Sequence, residues 1–377
     1  MKKYIVCSMI ALGSISCTDS FLEEKMVSTI TQDYFETEQG LEQLIVGTYD
    51  ALRVTKQYEQ GPNSLMLGVD NFTSKTPNRG MYSPSEWNAT GKLASLANGL
   101  CGENAKSLLG FYPIINNCNR AIISIREGKA LGKFASDEHY AAKALSEALF
   151  NRAYALYIMS TMYGAIYVPL GYTAELPSNY NYVRESVPNI YRLLISDLRY
   201  AYDHLPDVKE QNLSTDFGCV TKGAAAHFLA KLYLQRAQAE KYGTSEYGVD
   251  AEGNVDTNNP KSYLGMLYKG KGIADLDSCI YYASTVIDNG YYELESDFGK
   301  LFSHPLNDYS NENSHELILS CVYGPMGSAD NGRYGNRLPY FFGGDYSNAS
   351  WGIPEFCWEY PTTVSYTHLT LPTKLEV

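Results

Sequence analysis

Two long segments, 58–100 and 324–360, lack helical periodicity and are rich in aromatic and polar side chains. Aromatic rings stack on the apolar C–H faces of sugar rings, while Asp, Asn and Arg hydrogen bond to the hydroxyl groups at their rims. Long irregular segments in a compact protein commonly carry function, so we expect a ligand site here, although each ring could instead anchor its own loop. The predicted ligand-binding residues are Asp70, Asn71, Arg79, Tyr82, Trp87, Tyr334, Asp345, Tyr346 and Trp351.

Patterns typical of catalysis and of zinc binding are missing from the sequence. Its 6 histidines form no HExxH motif, no cysteines have CxxC spacing, and neither a nucleophile elbow nor a phosphate-binding glycine loop occurs. A glycoside hydrolase would need two carboxylates roughly 5 to 10 Å apart. Glu147 and Asp197 lie on predicted helices, and there, as at Glu316, a salt bridge or a cap is the expected role of the carboxylate. We therefore expect no enzyme, no cofactor and no metal ion.

An acidic string lies in the Tyr-, Gly- and Asn-rich insertion 241–271, at Asp250, Glu252, Asn254 and Asp256. It resembles an EF-hand calcium loop only weakly, because Val255 stands where that loop needs Gly and Lys261 where it needs Glu. A solvated loop is the favoured interpretation, and bound calcium stays an open alternative.

The N-terminus has the features of an export signal. Lys2 and Lys3 precede an apolar stretch at 4–12, which is shorter than the roughly 20 residues of a membrane-spanning helix. The following GSISC ends at Cys17 and resembles a bacterial lipoprotein signal, although Ser14 and Ile15 depart from the usual pattern. We expect 1–16 to be a signal peptide and Cys17 to carry lipid; an ordinary secretory peptide with an incidental cysteine is the alternative.

Six cysteines remain after Cys7 and Cys17 are set aside, at 101, 118, 219, 279, 321 and 357. An oxidising compartment permits disulfides, but the sequence cannot choose among the 15 pairings. Cys219 and Cys279 adjoin predicted helices, so we expect them to be small buried hydrophobic residues.

Composition places the 377-residue chain among globular proteins, because 45% hydrophobic residues can form a large core. Its formal charge of -12 disfavours nucleic-acid binding. Tyrosine is unusually frequent, with 33 residues. Those at helix positions, namely Tyr154, Tyr157, Tyr191, Tyr233, Tyr281 and Tyr282, are predicted to pack in the scaffold, whereas the loop tyrosines at 82, 334, 340 and 346 remain candidates for ligand contact.

Apolar residues at helical spacing predict helices at 111–126 and 141–162, the second ended by Gly164 and Pro169. Further helices are predicted from Ser186 to Pro206, from Thr221 through at least 233, and from 275 or 277 to Gly290. Small and large residues alternate on successive helices, as in stacked tetratricopeptide-like pairs, although the 34-residue signature does not recur cleanly.

In order and spacing, several short motifs resemble the SusD/RagB family of outer-membrane lipoproteins, and together they cover 17 to about 320. The motifs are CTDSFLEE at 17–24, YFETEQGL at 34–41, GTYDALR at 47–53, YPIINNCNRAI at 112–122, EALFNRAYAL at 147–156, IYRLLISDL at 190–198, TKGAAA at 221–226, AKLYL at 230–234, VIDNGY at 286–291 and NSHELI at 313–318.

This resemblance implies a mainly α fold, with tetratricopeptide-like helix pairs in a SusD-like α–α superhelix and long irregular binding loops. It also implies a lipid-anchored protein on the outside of the outer membrane, which captures oligosaccharides and passes them to a TonB-dependent, SusC-like channel without chemistry on the ligand. A helical-repeat scaffold for a protein partner and a peptide-binding member are the alternatives.

Family members are substantially longer, so we expect 17–363 to be a SusD-like domain without its C-terminal portion. The last residues, 364–377, have no family counterpart and resemble a recurrent spurious translation at the ends of assembled metagenomic contigs. We expect this tail to be foreign to the protein.

Overall fold

The computed structural model describes residues 32–52, 72–74, 111–172, 181–212, 216, 218–242, 247–249, 255–260, 272–298, 314–321 and 359–361. Helices form most of this part of the chain, which confirms the predicted mainly α fold. Its helices are α1 (Glu38–Thr48), α2 (Phe111–Arg126), α3 (Lys133–Ser136), α4 (Glu138–Tyr163), α5 (Val187–His204), α6 (Lys222–Tyr242) and α7 (Gly272–Ile287), with 3-10 turns at Gln32–Glu36 and Val208–Glu210.

The predicted helices are all present, and their ends follow the expected local signals. Helix α2 has the predicted bounds, and α5 follows Ser186, whose backbone has the extended conformation of an N-cap although its side chain makes no capping hydrogen bond. Gly164 ends α4 with a φ of 72°, and Gly290 follows α7 with a φ of 74°, values that favour glycine. Helix α7 begins before the predicted aspartates, at Gly272.

Helices α5, α6 and α7 form antiparallel neighbours in chain order, as expected for tetratricopeptide-like pairs. Near the start of α5, Tyr191 donates a hydrogen bond to Gln235 near the end of α6, over 3.1 Å. The ammonium group of Lys222, which begins α6, lies over the ring of Tyr202 near the end of α5. Arg236, near the end of α6, pairs with Asp275 at the start of α7. Helices α6 and α7 are therefore antiparallel as well.

The core lies between these helices, with α4 at its centre. Phe228 of α6 packs edge-on against Phe150 and Tyr157 of α4, at ring-centroid distances of 5.8 and 5.2 Å. Such edge-to-face pairs stabilise a core beyond the area that they bury. The largest fully buried side chains are Phe111, Leu41, Ile115, Leu149, Leu156, Ile190, Leu194, Leu198, Leu229, Leu232 and Val220.

The scaffold role predicted for the helical tyrosines is confirmed for the buried Tyr157, Tyr191, Tyr233 and Tyr282. For Tyr281 it is wrong, because this side chain is 59% exposed. It precedes Tyr282 on α7, and consecutive helix positions point about 100° apart, so burial of one leaves the other outside.

Three short antiparallel pairs are present in the described chain: β1 (Phe72–Ser74) with β6 (Glu359–Pro361), β2 (Ile166–Tyr167) with β3 (Arg184–Glu185), and β4 (Tyr247–Val249) with β5 (Val255–Pro260). The third pair corrects the prediction of a loop throughout 241–271. Val249 pairs with Val255, and Asp256 of the calcium-like string lies in β5, whereas Asp250, Glu252 and Asn254 lie outside the described residues. Among the described helices, none is long and apolar enough to cross a membrane.

Candidate functional site

The predicted site residues themselves lie outside the described residues. This holds for the lipidation site Cys17 and for Asp70, Asn71, Arg79, Tyr82, Trp87, Tyr334, Asp345, Tyr346 and Trp351. The tail 364–377 also lies outside them. These assignments therefore stay predictions.

The strand pair β1–β6 brings together the two segments in which those residues occur. Phe72 lies opposite Pro361, Thr73 opposite Tyr360 and Ser74 opposite Glu359. Asn71 directly precedes β1, and β6 begins at the end of the segment 324–360. Because neighbouring strands lie roughly 5 Å apart, the ladder joins the segments at one place. Both segments could be recognised in the sequence, but their pairing could not, since three-residue strands leave almost no periodic signal.

A buried amide connects the helical scaffold to the loop that follows α4. Asn119 of α2 donates from Nδ2 to the backbone oxygens of Pro169 and Gly171, over 2.7 and 3.1 Å. Its Oδ1 accepts from Nη1 of Arg152, over 2.8 Å. A buried amide with both ends hydrogen bonded fixes its partners in place. This part of the loop is therefore held against the scaffold, close to the strand pair β2–β3.

Arg152 completes this polar network with Asp197 of α5. Its Nε and Nη2 donate to the two carboxylate oxygens over 2.9 and 2.8 Å. Both side chains are 4% exposed. The prediction of a salt bridge at Asp197 is thus confirmed, and the carboxylate is not open to a substrate.

Glu147 is a second buried carboxylate, beside Tyr49, Lys143 and the loop that contains Cys219. Its side chain is 11% exposed and lies 4.0 Å from Nζ of Lys143. Burial raises the pKa of Glu147 to about 7, against the opposing charge of Lys143 and a hydrogen bond with Tyr49. The Tyr49 hydroxyl also accepts from the backbone N–H of Val220, over 3.1 Å. Glu147 therefore links α1, α4 and the start of α6 and is enclosed in the scaffold.

Glu316 also has a structural contact, since its Oε2 accepts a hydrogen bond from the backbone N–H of Glu295 over 2.9 Å.

The cysteines within the described ranges, 118, 219, 279 and 321, are free thiols. Cys118 is buried, but Cys219 and Cys279 are half-buried, so the expectation that these two are buried is only partly met. The same ranges contain no group of three His, Cys, Asp or Glu residues that could hold a metal ion.

A group of tyrosines that was not predicted from the sequence lies at the strand pair β2–β3. The rings of Tyr112 and Tyr167 are stacked with centroids 6.4 Å apart, and Tyr182 meets Tyr167 edge to face at 4.9 Å. Tyr182 is 63% exposed. The tyrosine-rich sequence at 167–182 was the available signal, but only the strand pairing shows which of these rings meet.

Residues 20–234 match the family model of SusD-like proteins that is described as "Starch-binding associating with outer membrane". The chain belongs to the SusD-like family. Two SusD-like relatives agree: a SusD-like protein of Bacteroides ovatus is 25% identical over 331 residues, 86% of this chain and 50% of the relative. The SusD-like protein P2 of Formosa agariphila is 23% identical over 77% of this chain and 55% of its own length. This chain thus spans about half the length of these SusD-like relatives.

Solved structures have the same fold. A SusD superfamily protein from Parabacteroides distasonis aligns with a TM-score of 0.61 and 19% identity, over 89% of this chain and 59% of its own. The surface glycan-binding protein A from Bacteroides fluxus aligns with a TM-score of 0.57 and 17% identity, over 88% and 61%. A structure determined with xylogluco-oligosaccharide aligns with a TM-score of 0.52 and 24% identity, over 77% and 47%.

Proposed function

We propose that this SusD-like protein is a cell-surface glycan-binding lipoprotein that captures oligosaccharides and delivers them to a TonB-dependent outer-membrane channel. The observation that carries the proposal is the match of 20–234 to a family described as starch-binding and associated with the outer membrane. Two of the structural neighbours point the same way, since one was determined with xylogluco-oligosaccharide and one is named a surface glycan-binding protein.

The ligand site that we propose lies where the segments 58–100 and 324–360 are joined by β1 and β6. Trp87, Tyr82, Tyr334, Tyr346 and Trp351 would stack on sugar rings. Asp70, Asn71, Arg79 and Asp345 would hydrogen bond to hydroxyl groups. The strand ladder supports this assignment, because it brings the two chain segments to one place although they are far apart in sequence.

Glycan-array binding of the lipid-free protein tests the site. Trp87→Ala and Trp351→Ala should each weaken binding to the preferred glycan about tenfold, since each removes a stacking ring. Tyr281→Ala is the matched control, because it removes an exposed ring from the helical scaffold and should leave binding unchanged. Unchanged binding by both tryptophan variants would contradict the site. Binding of a peptide pool with no glycan bound would instead favour a peptide-binding member.

Lipid attachment at Cys17 is the proposed means of anchoring. Labelling of cells with a palmitate analogue should mark the wild-type protein and not Cys17→Ser, and only the wild type should fractionate with the outer membrane. Equal labelling of both proteins would contradict lipidation at this residue. Protease treatment of intact cells tests the outward orientation, which requires that the anchored protein be digested.

Delivery to a channel requires a complex in the membrane. Affinity purification of the lipidated protein from mild detergent should recover a TonB-dependent channel in stoichiometric amount. Purification without any such channel would contradict the delivery role, while leaving glycan binding to be judged by the array.

A further inference from the structure

The strand pair β2–β3 presents an aromatic side chain on a fixed support. Tyr112 lies in the first turn of α2, and its hydroxyl donates to the backbone oxygen of Tyr167 in β2, over 3.2 Å. Their rings are stacked at an interplanar angle of 28°. The loop directly after β2 is held by Asn119 through Pro169 and Gly171. The strand pair β2–β3 is therefore attached to the helical scaffold both through β2 and through the loop that follows it.

Tyr182 and Arg184 both lie beside Tyr167 of β2. Tyr167 is the cross-strand partner of Arg184, and side chains directly opposite each other in an antiparallel pair lie on the same face. The ring of Tyr182 meets that of Tyr167 at 84°. Although it has this support, Tyr182 remains 63% exposed.

The positive charge of Arg184 acts on the phenol of Tyr112. Burial raises the pKa of Tyr112, and the charge of Arg184 opposes that rise. The Arg184 side chain is itself exposed. The exposed ring of Tyr182 and the exposed guanidinium of Arg184, which has five N–H donors, are thus both supported by Tyr167. A sugar ring needs these two kinds of group, one for its apolar face and one for its hydroxyl rim.

We propose that Tyr182 and Arg184 form a second carbohydrate-binding site, which takes one pyranose unit of a neutral polysaccharide. The inference rests on the proposed glycan-binding function and adds a position outside the segments 58–100 and 324–360. A single exposed ring with one guanidinium is too small for a stable protein interface, which needs roughly 800 Å² per partner. It matches the size of one sugar ring, and its attachment to the scaffold lowers the entropy cost of binding.

Affinity electrophoresis tests the site in native gels that contain amylopectin, xyloglucan or galactomannan. In the gel that retards the wild type, Tyr182→Ala should raise the apparent dissociation constant about tenfold, and Arg184→Gln severalfold. Tyr182→Phe keeps the ring and should stay within about twofold of the wild type. Val183→Ala, at the exposed neighbouring position, is the matched control and should have no effect. Thermal unfolding of each variant checks that the scaffold is intact.

The outcomes separate this site from the general function. A wild type that is retarded in none of the gels would overturn both the second site and its basis in glycan binding. A retarded wild type whose dissociation constant is unchanged in both Tyr182→Ala and Arg184→Gln would overturn the second site alone. If Tyr182→Ala unfolds at a lower temperature than the wild type, the test of the second site is the comparison of Arg184→Gln with Val183→Ala. Equal retardation of these two variants would overturn the second site.

Discussion

Arg152 on α4 and Asp197 on α5 form a bidentate ion pair inside the protein, with donor–acceptor distances of 2.9 and 2.8 Å. Arg152 also donates to Asn119 of α2, so one guanidinium connects three helices. Charged groups in such a position are stabilising only while all of them are paired, because an unpaired buried charge is costly.

Removal of one partner of this pair should therefore destabilise the fold strongly. Asp197→Ala is expected to lower the free energy of unfolding by about 3–5 kcal/mol, because it leaves the Arg152 charge buried without its counter-ion. Urea denaturation measures the change. Glu127→Ala, which breaks the exposed pair with Lys129 at 2.6 Å, is the control and should cost less than about 1 kcal/mol. Equal losses for the two variants would show that burial of the Arg152–Asp197 pair has no energetic consequence.

Two glycines of α1 should respond oppositely to alanine. A Cβ at Gly40 would clash with the backbone oxygen of Tyr34, whereas a Cβ at Gly47 would meet nothing within 4 Å. Gly40→Ala should destabilise the protein by about 1–3 kcal/mol through overpacking. Gly47→Ala should stabilise it by about 0.5–1 kcal/mol, since alanine favours a helix. Thermal denaturation of both variants is the measurement, and a stabilising Gly40→Ala would contradict the close approach of Tyr34.

Glu147 should make stability depend on pH. Its pKa is raised to about 7 in the folded protein, so the folded state binds the proton more tightly than the unfolded state, whose glutamate titrates near 4.3. The favourable contribution is fully present below about pH 4 and is lost as the pH rises towards 7, with a total loss of roughly 3 kcal/mol.

Glu147→Gln, which cannot ionise, should remove that loss. Between pH 4.5 and pH 7.5, the free energy of unfolding of Glu147→Gln is expected to rise relative to that of the wild type. Urea denaturation at several pH values measures this difference. Glu127→Gln changes an exposed carboxylate and is the charge-matched control. A constant difference between Glu147→Gln and the wild type over this range would contradict the raised pKa.

Adjacent tyrosines on α7 should differ sharply in their contribution to stability. Tyr282 is 9% exposed and packs against Tyr202 and Tyr233, at 5.1 and 5.8 Å between ring centroids, while Tyr281 is 59% exposed. Tyr282→Ala should cost about 3 kcal/mol, as expected for a buried aromatic side chain, and Tyr281→Ala less than about 1 kcal/mol. Chemical denaturation of the two variants provides the comparison, and a reversed order would contradict the orientation of α7.

Local signals explain how much of the fold could be predicted. Helix α2 has its predicted bounds because apolar residues recur at helical spacing along the whole stretch. Gly164 and Gly290 were identified as helix stops because tolerance of a positive φ is a property of glycine itself. The strand pair β4–β5 was not predicted, since strands of three and six residues in a polar, glycine-rich stretch have too little apolar periodicity to be recognised.

The sequence by itself determined the helical class, the order of the helices and the family, because periodicity, caps and motifs are properties of neighbouring residues. Only the tertiary structure decided that Tyr282 is inside and Tyr281 outside, that Asn119 holds the loop after α4, and that β1 pairs with β6. Each of these depends on partners far away in the chain, and a residue's type does not specify which distant surface will meet it. The physical reason is that burial and pairing are settled by packing between elements, which local sequence preferences constrain but do not select.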